Sequence, residues 1–459
     1  MKGKAGVRMI ARICVLLLIL CICAVFFVKH FNFKEYSADD MQAFLDDMCK
    51  KLDVPAMSAA VWDHDREIYL NHSDGGEIVD EHSLYELAST TKAFTALGIL
   101  RLNDSGLLSF DDPVQKYIPE FNPTYKGSEV EITIGQLLNH SSGIPWYALD
   151  LIPEEEYNPG GLKKSLSRLF DVELSFEPGS RFDYSTVNYD FLALAAETVT
   201  GMGYEEYIKT TVLDEVGMTG SYFRSAAVEE GVTQGNRTAF LSSRPYNAPV
   251  YYGNTAAGYL ISNTGDLMKW MKQVDTLFDF EDYSVSDQNG YFAGWWIEDD
   301  RVLHGGNNPN YSSYVFVNRE SPTGVFVLSS KAGMSAWYAA DGLYRMLEGE
   351  TVGKGLWIDC GYSDLEDALF LIVPLLLLYV LLWIPADSKG RAIVRLASGA
   401  VILIGVPLLL CVLPVGLRFG VVWLPGSFLF LFGFILTFAV YLIVRSAVFF
   451  HKNKKATSA

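Results

Sequence analysis

The chain has 459 residues, too many for one ordinary domain, and half of them are hydrophobic. Its 36 basic and 54 acidic side chains give a formal charge of −18, unevenly distributed. Residues 30–366 alone hold 23 basic against 52 acidic side chains, a formal −29, which excludes a nucleic-acid partner and docking of that segment onto anionic lipid.

In chain order, the first feature is residues 13–28 (ICVLLLILCICAVFFV), an uncharged run after Lys2, Lys4, Arg8 and Arg12. The basic cluster stays cytoplasmic and sends the following segment across the membrane. Ala24 is a candidate cleavage residue, but Ile22 stands where a smaller side chain is usual, so the run reads as a retained signal anchor rather than a cleaved peptide. Residues 37–53 (SADDMQAFLDDMCKKLD) predict an amphipathic helix, with Ser37 as N-cap and acids in the first turn. "AMSAAVWDHDREIYLN" predicts two short strands around a turn at Asp63–Arg66. Residues 89–104 predict a helix that is apolar on most faces and therefore central. From 111 to about 250 the pattern is helices and loops punctuated by Pro, Gly and Asn. Strands return at 290–331 ("GYFAGWWIED", "RVLHGG", "SSYVFVNR", "GVFVLSSK"), and 337–349 closes with a helix. Strands at both ends with helices between them predict one antiparallel sheet, flanked by helices and interrupted by a mostly helical insertion.

Three further uncharged stretches follow at 368–386, 396–417 and 419–444, each near the ~18–25 residues that cross a bilayer as a helix. Lys389, Arg391 and Arg395 between the first two, and Arg445, Lys452, Lys454 and Lys455 after the last, fall on the cytoplasmic side if every stretch crosses. The expected layout is thus a basic N-terminus and anchor at 1–29, an extracytoplasmic domain at 30–366, three transmembrane helices at 367–446 and a cytoplasmic basic tail at 447–459. No Asp, Glu, Lys, Arg or His inside the stretches marks a transport path. Outside the apolar stretches only Cys49 and Cys360 occur, and a disulfide between them is one arrangement the sequence leaves open. Without a CxxC or a Cys/His cluster, neither a metal nor a cofactor is expected.

Ser89, in "YELASTTKAFTALGILRL", is the only serine with a lysine three positions on. At helical spacing the Ser89 and Lys92 side chains share one face. A serine hydroxyl needs a nearby base, and a lysine amine becomes one if burial depresses its pKa. The helix start also places backbone N–H groups and the positive dipole end at Ser89. About one such spacing is expected by chance, so the motif alone reads first as an N-cap on a core helix.

The wider pattern resembles the serine β-lactamase and penicillin-binding protein family, in its class C β-lactamase and D-alanyl-D-alanine carboxypeptidase branch. "SLYELASTTKAFTALGILRL" is similar to that family's first active-site block. "LLSFDDPVQKYIPEF" at 107–121 and "ITIGQLLNHSSGIP" at 132–145 resemble its connecting segments. "FEPGSRFDYSTVNYDFLALA" at 176–195 resembles its second block, "NTAAGYLISNTGDLMKWM" at 254–271 a later one, and "LHGGNNPNYSSYVF" at 303–316 its third. The resemblance covers nearly all of 38–349 and implies a β-lactamase-like α/β (α+β) fold. It also implies Ser89 as the acylated nucleophile, Lys92 as the base or its partner, and Tyr184 as a second base whose phenolate passes a proton to the leaving nitrogen. The backbone N–H groups of Ser89 and Asn307 would form the oxyanion hole, with His304, as a donor or mild positive charge, and Gly305 and Gly306 lining the pocket.

Two positions depart from the family pattern. Tyr184-Ser185-Thr186 replaces Tyr-x-Asn, so Thr186 offers a hydroxyl where an amide would meet substrate and lysine. His304-Gly305-Gly306 replaces Lys-Thr/Ser-Gly, which removes a cation and a hydroxyl that greet a substrate carboxylate. The resemblance therefore implies a peptidase, amidase or esterase acting on small peptide, D-amino-acid or cell-wall-derived substrates, rather than an efficient β-lactamase. The alternatives are a β-lactamase or a penicillin-binding sensor that is acylated without turnover. The helices after the catalytic segment also resemble the layout of membrane-bound peptidases that mature nonribosomal peptide prodrugs. His140 reads as structural, Trp295 and Trp296 as a core-and-rim pair on a strand, and Trp146 and Tyr147 as loop aromatics on a pocket wall. The oligomeric state is not indicated.

Overall fold

A computed structural model describes residues 35–75, 78–152, 161–223, 231–278, 280, 290–352, 364–383, 388–412 and 417–457. The apolar run 13–28 and Cys360 lie outside them. Helix α1 (Ala38–Leu52) starts at Ser37, whose hydroxyl accepts the Asp40 N–H while the Asp40 carboxylate accepts the Ser37 N–H. That reciprocal cap and the acids in the first turn set the helix start.

A seven-stranded antiparallel sheet follows. Its strands are β1 (Ala56–Asp63), β2 (Arg66–Ser73), β3 (Tyr291–Phe292), β4 (Trp295–Ile297), β5 (Arg301–Asn307), β6 (Ser312–Asn318) and β7 (Thr323–Ser329), in the spatial order β3-β4-β5-β6-β7-β1-β2. The two ends of this segment meet where β1 pairs with β7, from Met57↔Ser329 to Asp63↔Thr323. Alternation divides the side chains between two cores. Met57, Ala59 and Val61 of β1, Phe316 of β6, and Val325 and Val327 of β7 pack with α1 and the closing helix α5 (Ser335–Leu347). Ala60, Val315, Val317, Phe326 and Leu328 point the other way, into the larger core.

That larger core is built around α2 (Thr91–Asp104), buried on most of its surface as its apolar sequence demands. Phe94 on α2 stacks on Trp270 of α4 (Thr264–Met271), ring centroids 4.1 Å apart. Helix α3 (Val187–Thr200) packs beside α2 and ends at Gly201, whose φ of 68° suits a residue without Cβ. The insertion is less purely helical than its sequence suggests. It contributes to a small sheet of Tyr85–Glu86, Leu260–Ser262 and Tyr222–Phe223, and holds a hairpin of Asn236–Ala239 with Ser242–Pro245.

The C-terminal part is helical: α6 (Asp364–Trp383), α7 (Lys389–Val412), α8 (Leu417–Trp423) and α9 (Phe428–Thr457). Among the described residues, two helices are long and apolar enough to cross a membrane, α7 over Lys389–Leu408 and α9 over Phe428–Asn453, with mean hydropathies of 1.7 and 2.3. They pack through Gly399, where a Cβ would come within 2.7 Å of the Ala439 carbonyl oxygen.

Candidate active site

The site begins where the small sheet meets α2. The Leu87 N–H donates to the Leu260 carbonyl at 2.8 Å, fixing the chain before the turn. Ala88 then adopts φ 49°, a left-handed conformation that costs roughly 1–2 kcal/mol for a residue with a Cβ. Ser89 follows in a short 3₁₀ turn, Ala88–Thr90, that feeds α2. Its hydroxyl does not cap the helix. Instead it accepts a hydrogen bond from Lys92 Nζ at 3.0 Å.

Lys92 is fully buried, and its ammonium nitrogen has two further acceptors, Thr186 Oγ1 at 2.9 Å and the Ala257 carbonyl at 2.8 Å. Burial lowers its pKa to about 7, partly opposed by the nearby Asp190 carboxyl. Asp190 lies four residues after Thr186, on the same face of α3. It is fully buried, and its oxygens take no side-chain hydrogen bond among the described residues. Burial holds its carboxyl well above the usual carboxylate range, with Lys92 pulling it back down.

Tyr184 stands over Lys92, whose Nζ is 5.2 Å from the phenol ring centroid. Burial pushes the Tyr184 hydroxyl up, and its contact with Ser89 offsets that only in part. The ring rests on His140, with centroids 4.2 Å apart. His140 holds the chain at the start of α3. Its Nδ1 receives the Ser185 N–H at 3.3 Å and the Asn188 amide at 3.1 Å, so the proton belongs on Nε2. Burial and the facing Lys92 keep this ring neutral.

The opposite wall is β5. Val302, His304 and Gly306 share its inward face. A Cβ on Gly306 would run into the Leu87 carbonyl oxygen and Ser313 Oγ and lie 3.0 Å from the Ser89 nitrogen. Glycine is therefore what lets this strand end reach the Ser89 turn. His304 lines the pocket, but it carries no positive charge there. Burial, reinforced by Lys92, lowers its pKa to about 3. Its Nδ1 lies 2.7 Å from the Gly305 carbonyl and its Nε2 3.2 Å from Tyr291 Oη, so both ring nitrogens are engaged. The Asn307 side chain accepts the Gly333 N–H at 2.8 Å, which anchors the strand end.

Two clefts open on Ser89 and Tyr184. One, of about 380 Å³, runs along Trp296, His304–Asn307, Tyr314, Met334 and Trp337. The other, of about 300 Å³, runs past Thr186 between Trp146, Tyr147, Tyr251, Phe419 and Trp423. Every site residue expected from sequence thus lies at one centre. Trp146 and Tyr147 form a cleft wall, although on a 3₁₀ helix, Trp146–Leu151, rather than an open loop. Trp295 is wholly buried while Trp296 reaches the cleft. Asp190, the Tyr291–His304 contact and the two aromatics of α8 were not anticipated. For Asp190 the available signal was a lone carboxylate in the apolar run VNYDFLALAA.

The β-lactamase family model matches residues 39–347. Protein flp of Staphylococcus aureus (strain NCTC 8325 / PS 47) is 31% identical over 297 residues, which cover 58% of this chain and 57% of the relative. Penicillin-binding protein 4* of Bacillus subtilis (strain 168) is 35% identical over 161 residues, 33% of this chain and 34% of that protein. Among solved structures, the octameric penicillin-binding protein homologue from Pyrococcus abyssi superposes with a TM-score of 0.59 at 27% identity, covering 69% of this chain and 78% of that one. The chain spans less than two thirds of the length of these curated relatives.

Proposed function

The chain belongs to the β-lactamase family, whose members are serine hydrolases, and from that premise we propose a membrane-anchored extracytoplasmic hydrolase that works through an acyl-enzyme on Ser89. The observation that carries the proposal is the Lys92 amine 3.0 Å from Ser89 Oγ, with its pKa lowered to about 7. At neutral pH a large fraction of that amine is unprotonated and able to accept the serine proton.

In the proposed sequence Ser89 Oγ attacks the substrate carbonyl carbon while its proton passes to Lys92 Nζ. The backbone N–H groups of Ser89 and Asn307 receive the developing oxyanion. Tyr184, kept as a neutral phenol by burial, donates its proton to the leaving nitrogen or oxygen as the bond to the acyl carbon breaks. Lys92 then returns its proton to the phenolate. A water attacks the ester, again losing a proton to Lys92, and Ser89 leaves with that proton. This arrangement divides the work by pKa, the depressed amine acting as base and the elevated phenol as acid.

The substrate reading is a peptidase, amidase or esterase for peptide-like compounds, with D-amino acids the expected class. It is supported by Thr186 in place of an amide and by a neutral His304, which leave this wall without a cation for a free carboxylate. The membrane reading rests on α7 and α9 and on the basic residues that flank them. A fluorophosphonate or an activated D-amino-acid ester is expected to acylate Ser89 and, for the ester, to turn over. Ser89→Ala is expected to abolish both. Equal turnover by that variant removes the mechanism, and a stable ester adduct without turnover replaces the hydrolase by a sensor.

A further inference from the structure

Helix α8 and the residues after it form a short connection between the long apolar helices α7 and α9, yet they are built into the catalytic fold. Arg237 Nη1 donates to the Val421 carbonyl at 2.8 Å, and the Gly426 N–H donates to the Thr238 carbonyl at 2.9 Å. Val422 is buried in the larger core. A Cβ on Gly426 would lie 2.8 Å from Ala239 Cβ, so the approach is tight. At the same junction Asp367 of α6 is wholly buried and accepts the Leu241 N–H at 2.6 Å and the Ser427 hydroxyl.

This docking brings two aromatic side chains to the nucleophile. Phe419 and Trp423 stack at 6.1 Å, and Phe419 meets Trp146 edge to face at 6.5 Å. Arg418, one residue earlier, holds its guanidinium 5.0 Å from the Tyr251 ring centroid, which pins the far wall. The result is the cleft of about 300 Å³ described above, open to Ser89 and lined by these aromatics together with Asp150, Asn254 and Asn308. Its size is at the lower end of the ~300–1,000 Å³ usual for small-molecule sites. The aromatic part of this lining gains from burying an apolar group.

We propose that Phe419 and Trp423 complete an apolar subsite beside Ser89, and that the substrate carries a bulky apolar group, aromatic or acyl chain, next to the bond that is cleaved. This deepens the hydrolase reading and rests on it. The helical part then selects the substrate as well as holding the enzyme.

The test uses the full chain in lipid nanodiscs and compares kcat/KM within two ester pairs. p-Nitrophenyl phenylacetate or octanoate against acetate varies the acyl side. N-acetyl-D-alanine benzyl against methyl ester varies the leaving side. Phe419→Ala and Trp423→Ala are expected to lower the bulky-to-small ratio about tenfold in one pair, mainly through KM, as loss of several methylene contacts does. Trp423→Phe is expected to keep most of the ratio. A ratio is insensitive to the folded fraction, so poor folding does not mimic the effect. Unchanged ratios in both pairs, with the esters still turned over, overturn the subsite and leave the hydrolase standing. Failure of the wild-type chain to turn over any ester, with no adduct on Ser89, removes the hydrolase reading and the subsite with it.

Discussion

Lys92 Nζ donates to Thr186 Oγ1 at 2.9 Å across the start of α3, so the threonine that replaces the family's amide still serves the lysine. Thr186→Ala removes one of three acceptors that favour the ammonium and is expected to lower the Lys92 pKa further. The acid limb of the kcat/KM profile should move to lower pH and turnover should fall about tenfold, as stopped-flow ester hydrolysis would show. Thr186→Asn is expected to raise acylation by a chromogenic cephalosporin relative to the wild type.

The activity itself should follow the free amine. Lys92 binds a proton below about pH 7 and loses it above, so kcat/KM is expected to rise with pH through that value. Stability carries the same sign. The amine titrates near 7 when folded and near 10.5 when unfolded, so the unfolded chain binds more protons between those values. This group's contribution to stability should rise with pH across that window. Asp190→Asn deletes a charge that raises the Lys92 pKa, and its acid limb is expected at lower pH. An unmoved limb would show that Asp190 is already neutral in the active protein.

His304 should be silent over the range in which activity changes. With a pKa lowered to about 3, its imidazole resonances are expected to stay constant between pH 5 and 8 in a ¹⁵N NMR titration. A midpoint inside that range would return to His304 the positive charge that burial removes.

Gly306→Ala tests the close approach of β5 to the Ser89 turn. The added methyl would press on the Leu87 carbonyl, Ser313 and the Ser89 nitrogen, mostly backbone or strand atoms that have little room to yield. A loss of about 1–3 kcal/mol in thermal unfolding is expected, with kcat/KM down ~100-fold or more, because the oxyanion donors would separate.

Much of the fold was legible because its signals are local. Ser37 capped α1, the Asp63–Arg66 turn joined β1 to β2, and the apolar run after Ser89 gave a buried helix, each from residues adjacent in sequence. The small sheet around Leu260–Ser262 was not legible, since two- and three-residue strands have no measurable period and exist only through their partners. Ser89 illustrates the same limit within the site. Its position before a helix predicts a cap, but the left-handed Ala88 turns its hydroxyl toward Lys92 instead.

By itself the sequence determined which chemistry was available: a serine and a lysine one helical turn apart, a tyrosine and a glycine-rich strand later in the chain, and long uncharged stretches after them. Side-chain type and spacing are written there directly. Only the tertiary structure decided which form each group takes. Burial lowers the pKa of Lys92, keeps Tyr184 a neutral phenol and leaves His304 uncharged, because the cost of a buried charge depends on everything packed around it. The same packing carries Phe419 and Trp423, more than 300 positions from Ser89 in sequence, to the edge of the cleft, a juxtaposition that no local pattern encodes.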